Sequence, residues 1–225
     1  MKLARSGLLS ATALLVVVLA VPGADRKPVQ AGKPVKWTSL FDGKSFKGWT
    51  KTKFGGEGTV EVKSGRLILG YGSNITGVHT KRKLPTINYE VQLEAMRVDG
   101  SDFFCGLTFP VGKKHLSLII GGWGGGVCGI SSLDGNDASE NETTTYRRFK
   151  NKTWYPVRLR VTDDKVEAWL EGKKIVDVKI KGKKLSLRVE VEPSKPFGFA
   201  TWQTTGALRN IRIRSLSPGG KSAMK

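Results

Sequence analysis

Acidic residues are scarce in this chain: 19 Asp and Glu stand against 38 Lys and Arg in 225 residues, a formal charge of +19. A protein so charged does not ignore polyanions at low salt. Histidine is scarcer still. Only His79 and His115 occur, with no His-x-x-x-His pair and no Gly-x-Ser-x-Gly elbow, which sets aside zinc hydrolysis and serine-hydrolase chemistry. The two cysteines, Cys105 and Cys128, form no Cys-x-x-Cys redox motif. Long helical periodicity is missing, and no apolar run reaches the roughly 20 residues that a membrane-spanning helix needs.

The longest apolar run, Leu8 to Val21, is broken only by Ser10 and Thr12. It follows Lys2 and Arg5 and precedes small residues ending at Ala24. This is the layout of an export signal over residues 1–24, with Ala20 a suitable cleavage point and Gly23 and Ala24 competing. Its removal takes Lys2 and Arg5 away and leaves +17 of the +19. The expected protein is exported, periplasmic or extracellular, and does not span the membrane once cleaved. Residues 25–36 carry Pro28 and Pro34 and read as a linker; 37–216 form one domain, and the Gly, Ser and Lys-rich residues 217–225 a basic tail.

Within the domain, Ile87, Tyr89, Val91, Leu93 and Ala95 alternate with Asn88, Glu90, Gln92 and Glu94. Val157, Leu159 and Val161 alternate with Arg158 and Arg160, and Leu185, Leu187, Val189 and Val191 with Ser186, Arg188, Glu190 and Glu192. Strict period two with one polar face predicts half-buried antiparallel strands. Shorter candidates lie at 60–62, 66–69, 103–109, 116–120, 166–170, 197–202 and 208–214. Many short strands separated by glycine-rich turns predict an all-β, two-sheet antiparallel β-sandwich of jelly-roll type, with a closed barrel as the other all-β solution.

Gly124, Gly126 and Gly129 satisfy Gly-x-Gly-x-x-Gly, but no helical pattern follows, so dinucleotide binding is set aside. Cys105 and Cys128 fit either one disulfide, worth about 3 kcal/mol in the loop-entropy account, or two buried thiols in neighbouring strands. Glu190 and Glu192 would share a strand face about 6.6–6.8 Å apart, and Glu90 and Glu94 also share one; such pairs are compatible with paired catalytic carboxylates or with a solvated face. The oxygen-dense run from Asp134 to Glu142 can hold a hard cation such as calcium, with Asp134 and Asp137 as ligands, or form a solvated loop; it lacks the EF-hand register. Asn136 and Glu142 in that run are substrate-binding candidates. Trp123 and Trp202 neighbour small residues, so an indole face can be left open to stack on a sugar. Basic clusters at 81–83, 147–152 and 173–184 come without any nucleic-acid motif, which argues against specific nucleic-acid recognition and leaves either solvated surface charge alone or an anionic polysaccharide as partner.

These segments resemble a known family. FDGKSFKGW at Phe41–Trp49, EVKSGRLIL, INYEVQLEA ending at Ala95, WYPVRLRVTDDKVEAWLEGKKI at Trp154–Ile175 and LRNIRIRSL at Leu208–Leu216 are similar, in order, to the 3-keto-disaccharide hydrolase domain. The resemblance covers Leu40 to Leu216 and implies a concanavalin A-like lectin and glucanase fold. Two departures stand out. Where the family carries Asn-Ser-Gly this chain has Ser101-Asp102-Phe103-Phe104-Cys105-Gly106, and where the family's next strand presents a Glu it has Leu116-Ser117-Leu118-Ile119-Ile120.

The resemblance implies cleavage of 3-keto-glycosides. A ketone at carbon 3 acidifies the proton on carbon 2; a carboxylate removes it, the enolate expels the glycosidic oxygen from carbon 1, and water adds back. One base and one oxyanion stabiliser suffice. Glu94, by its strand position, or Asp102 is the implied base, Arg97 or a bound cation the enolate stabiliser, and Trp123 and Trp202 the sugar platforms. A sandwich that has lost its carboxylate would instead be a lectin-like carbohydrate-binding module.

Overall fold

A computed structural model describes residues 36–217; the expected export signal over 1–24, most of the expected linker and nearly all of the expected tail lie outside the described residues. Fifteen strands occur among them: β1 (Thr38–Ser39), β2 (Thr50–Lys51), β3 (Val60–Lys63), β4 (Arg66–Leu69), β5 (Ile75–Thr80), β6 (Tyr89–Gly100), β7 (Cys105–Val111), β8 (Lys114–Gly122), β9 (Val127–Ser131), β10 (Thr145–Tyr146), β11 (Trp154–Val161), β12 (Lys165–Leu170), β13 (Lys173–Lys179), β14 (Phe197–Trp202) and β15 (Thr204–Ser215). They form two antiparallel sheets. Sheet A runs β13-β12-β11-β6-β15-β4-β3, with β1 also on β15; sheet B runs β10-β9-β8-β7-β14-β5-β2. This is the predicted sandwich rather than a barrel.

The period-two patterns set the core. Tyr89, Val91, Leu93 and Ala95 of β6 and Val157, Leu159 and Val161 of β11 point inward from sheet A, and meet Leu107, Phe109, Leu116, Leu118, Ile120 and Phe199 from sheet B. Most of these side chains are fully buried, each worth about 1.5–3 kcal/mol of transfer free energy. The predicted strand over 185–192 does not form. Leu185 makes a single bridge with Leu133, and Val189–Ser194 is a 3₁₀ turn. The reason is visible in the packing. Leu185 joins the main core, Leu187 and Val191 pack on the opposite side of sheet B, and Val189 is exposed, so the alternation serves no single face; Pro193 also lacks a ladder donor. Glu190 and Glu192 therefore share no strand face.

Cys105 and Cys128 are both free and buried. Each pairs with Ile120 of β8 from opposite sides. Two strand spacings put their Cα atoms about 9.5 Å apart, beyond disulfide reach. Burial pushes Cys105 up to about 12 and Cys128 up to about 11, so both stay protonated thiols.

Candidate functional site

The outer face of sheet B is lined by small side chains. One row across five strands reads Gly77, Ala200, Gly106, Ile119, Gly129, and the next contains Gly198, Thr108, Ser117 and Ser131. These residues alternate with the core positions, so β8 sends Leu116, Leu118 and Ile120 inward and leaves Ser117 and Ile119 facing out. The expected glutamate of this strand is thus replaced by a hydroxyl and a branched alkyl group. Thr108 and Ser117 satisfy each other at 3.1 Å.

Small residues leave a recess of about 250 Å³, walled by Phe103, Trp123, Trp202, Val191, Asp102, Arg188 and Glu190. The 3₁₀ turn closes one side, where a Cβ on Gly198 would come within 2.7 Å of the Ser194 carbonyl. Trp123 crowns the β8–β9 loop at a φ of 48° and is 44% exposed. Its loop is braced from two directions. Asp102 Oδ2 accepts the Gly124 N–H at 2.9 Å, while Oδ1 accepts the Phe103 N–H. Arg97 is nearly buried and donates to Asn151 Oδ1 at 2.7 Å, to the Phe149 carbonyl at 2.8 Å and, more weakly, to the Gly125 carbonyl at 3.4 Å. On the opposite wall Arg188 pairs with Glu190 at 2.7 Å and with Asp137. The Arg188 hydrogen bond holds the Glu190 carboxyl below the usual carboxylate range.

The sequence-derived candidates separate in space. Asp102, Trp123 and Trp202 line this recess. Glu94 does not: it projects from the outer face of sheet A, on the other side of the sandwich, because β6 turns its odd-numbered residues into the core. Burial raises its carboxyl, but hydrogen bonds from Asn210 and Arg209 outweigh this and hold it below the ordinary value. Arg97 lies beneath the Trp123 loop rather than on the recess wall, so its role here is to position that loop. Asn136 and Glu142 lie outside the recess lining. Asn136 is exposed and bonds through its backbone to Leu133, and Glu142 pairs with Lys183.

The oxygen-rich run is answered by the chain's own cations. Asp134 accepts from Lys183 at 3.0 Å and from the Lys184 N–H at 2.7 Å, Asp137 pairs with Arg188, and no group of three or more metal-ligating side chains occurs among the described residues. Asp134 and Asp137, the expected calcium ligands, are thus each engaged by a different cation of the chain. Sequence reasoning missed Phe103, Ser117, Ile119, Ser131, Arg188 and Glu190 as wall or floor. The signal for Ser117 and Ile119 was present, since they are the odd members of the alternating 116–120 strand. Arg188 and Glu190 read as the polar face of a strand, where Glu190 stood out only as a carboxylate paired with Glu192.

No curated protein significantly matches this sequence. Solved structures share the fold at low identity. A crystal structure titled a putative glycosyl hydrolase from Parabacteroides distasonis aligns at 18% identity over 80% of this chain and 94% of its own, TM-score 0.53. The Crh5 transglycosylase in complex with NAG aligns at 11% over 82% and 85%, TM-score 0.54. SCLam, a non-specific endo-β-1,3(4)-glucanase of family GH16, aligns at 10% over 85% and 95%, TM-score 0.54. Residues 36–214, nearly the whole described region, match the sequence profile of one domain family, and the chain belongs to the 3-keto-alpha-glucoside-1,2-lyase-like domain family.

Proposed function

We propose that this chain is an exported carbohydrate-binding protein that holds one sugar ring in the recess between Trp123 and Trp202. The carrying observation is the floor of that recess: Ser117, Ser131, Ile119 and Ile75 offer depth and a largely apolar surface but no carboxylate. An apolar recess with a few convergent polar groups is the usual form of a small-molecule site, and about 250 Å³ suits one ring rather than a chain. Trp123 supplies the open indole face, and the Arg188–Glu190 pair and Asp102 supply donors and acceptors for hydroxyls. Export rests on residues 1–24, and fractionation of the producing cells with sequencing of the mature N-terminus tests it.

Family membership favours a second reading, hydrolysis of 3-keto-glycosides. Here Asp102 is the carboxylate in place to take the carbon 2 proton, and Arg188 the cation on the opposite wall for the enolate. Both Asp102 oxygens already accept backbone N–H groups, which leaves each with one fewer lone pair to meet a substrate proton. The test is product release from a 3-keto-glucoside beside its unoxidised parent, with equilibrium binding of both. Binding without turnover supports the module. Turnover of the keto sugar alone, abolished by Asp102→Asn, replaces it with the enzyme.

A further inference from the structure

The outer face of sheet A carries a second and larger groove, of about 660 Å³, far from any role given to the recess on sheet B. Its residues lie in rows that cross β15, β6 and β11. In the Glu90 row, Arg214 and Arg160 flank a fully buried Glu90, and both pair with its carboxylate. In the Glu94 row, Arg209 pairs with Glu94 at 2.6 Å, opposite the uncharged Pro156. The row between them places Arg212 and Arg158 on either side of Gln92. The centre of this row is a neutral amide, where both neighbouring rows hold a carboxylate.

Two cations therefore have no anion in their own row. Arg212 donates Nε and Nη2 to Gln92 Oε1 at 3.1 and 2.7 Å and makes no ion pair among the described residues. Arg158 makes no hydrogen bond or ion pair among the described residues, and Glu90 and Glu167 act on it only at longer range; its guanidinium stacks 3.7 Å over the Trp169 ring, which fixes it in place. With one strand between them, the two Cα atoms stand about 9.5 Å apart. Outside the described residues, Asp25 is the only acidic side chain in 1–35, beside Arg26, Lys27 and Lys33, and none occurs in 218–225.

We propose that this groove binds an acidic saccharide, a sugar bearing a carboxylate or sulfate that sits over Gln92 and bridges Arg158 and Arg212. Guanidinium forks suit both anions. The remaining lining suits hydroxyls: Glu94 keeps lone pairs to accept them, and the Gln92 amide NH₂ has no partner among the described residues. Glu90, Glu94 and Glu167 interleaved with the arginines act against a uniformly charged nucleic-acid backbone.

Calorimetry on the full chain at physiological salt, with a short oligogalacturonate, its neutral counterpart, a sulfated oligosaccharide and an oligonucleotide of matched charge, tests this. The expected result is at least tenfold tighter binding of an acidic saccharide than of the neutral one or the oligonucleotide; whichever of carboxylate and sulfate binds more tightly names the source. Gln92→Glu, which copies the neighbouring rows, should cost tenfold or more in that affinity. Arg158→Met, which breaks no hydrogen bond, should do the same, and Trp123→Ala should leave it unchanged. Equal binding of the oligonucleotide, wild-type affinity in Gln92→Glu and Arg158→Met, or loss of acidic binding in Trp123→Ala would each overturn the proposal. The last result would leave the recess on sheet B as the saccharide site.

Discussion

The two outer faces of the sandwich are made in opposite ways. Sheet B turns glycine, alanine, serine and threonine outward and obtains a recess from missing side chains, with two tryptophans at its rim. Sheet A turns long charged side chains outward and covers itself with an arginine, glutamate and tryptophan lattice. The core between them is shared, so the difference lies in the solvent-facing half of each alternating strand. One face holds shape and the other holds charge. Ligand chemistry should divide in the same way, neutral rings on sheet B and acidic groups on sheet A.

The comparison breaks most severely at Glu90. Its carboxylate is wholly buried beneath Arg160 and Arg214, and cutting it away strands two cations that are themselves about four-fifths buried. Glu90→Ala should lose about 3–5 kcal/mol of stability, read as a fall in the urea midpoint, because a buried pair with one partner removed leaves uncompensated charge. An unchanged midpoint would mean the lattice is decoration.

Acid should loosen sheet A's face next. Glu94, Glu167 and Asp177 all have carboxyls held below their ordinary values in the folded state, where the largest single effect is burial for Glu94 and Glu167, outweighed by their hydrogen bonds, and the Lys174 hydrogen bond for Asp177. A lowered folded pKa contributes stability that is present above the unfolded value of about 4 and is lost as pH falls through the folded one. Urea midpoints should therefore be flat from pH 7 to 5 and drop below about pH 4, less steeply in Glu94→Gln. A midpoint that rises toward pH 3 would contradict this sign.

Gly125 sharpens the other side. It sits at a φ of +106°, and a Cβ there would lie 2.5 Å from the Ser101 carbonyl and 2.7 Å from the Arg97 guanidinium. Gly125→Ala should cost about 1–3 kcal/mol in strain and, by displacing the Trp123 loop, weaken sugar binding on sheet B while leaving acidic-saccharide binding intact. The smallest effect is a null one: Cys105 and Cys128, buried and protonated, should not react with a thiol reagent at pH 8 until the protein is unfolded.

Much of this was legible before any coordinates. The alternations at 87–95 and 157–161 named the inward residues of β6 and β11, and glycine spacing announced the turns. Strands β5 and β9 were hidden, because Thr76, Gly77, Gly129 and Ser131 look like loop residues; of these, Ser131 lines the recess. Site residues were less legible for a physical reason. Period two says which strand faces agree with one another and nothing about which sheet a strand will join, so Glu94 looked as eligible as Asp102, although they project from opposite sides of the molecule. The segment 185–192 misled because its apolar residues serve two clusters on opposite sides of sheet B.

The most direct test of the account is the affinity of a neutral or 3-keto glucoside for the wild-type chain and for Trp123→Ala. Trp123 is 44% exposed and makes no ring contact, so its removal should change stability by no more than about 0.5 kcal/mol. The account predicts saturable binding to the wild type and at least a tenfold loss in the folded Trp123→Ala protein. Equal affinity in the two proteins, with the fold intact in both, would contradict the assignment of the sheet B recess as the sugar site.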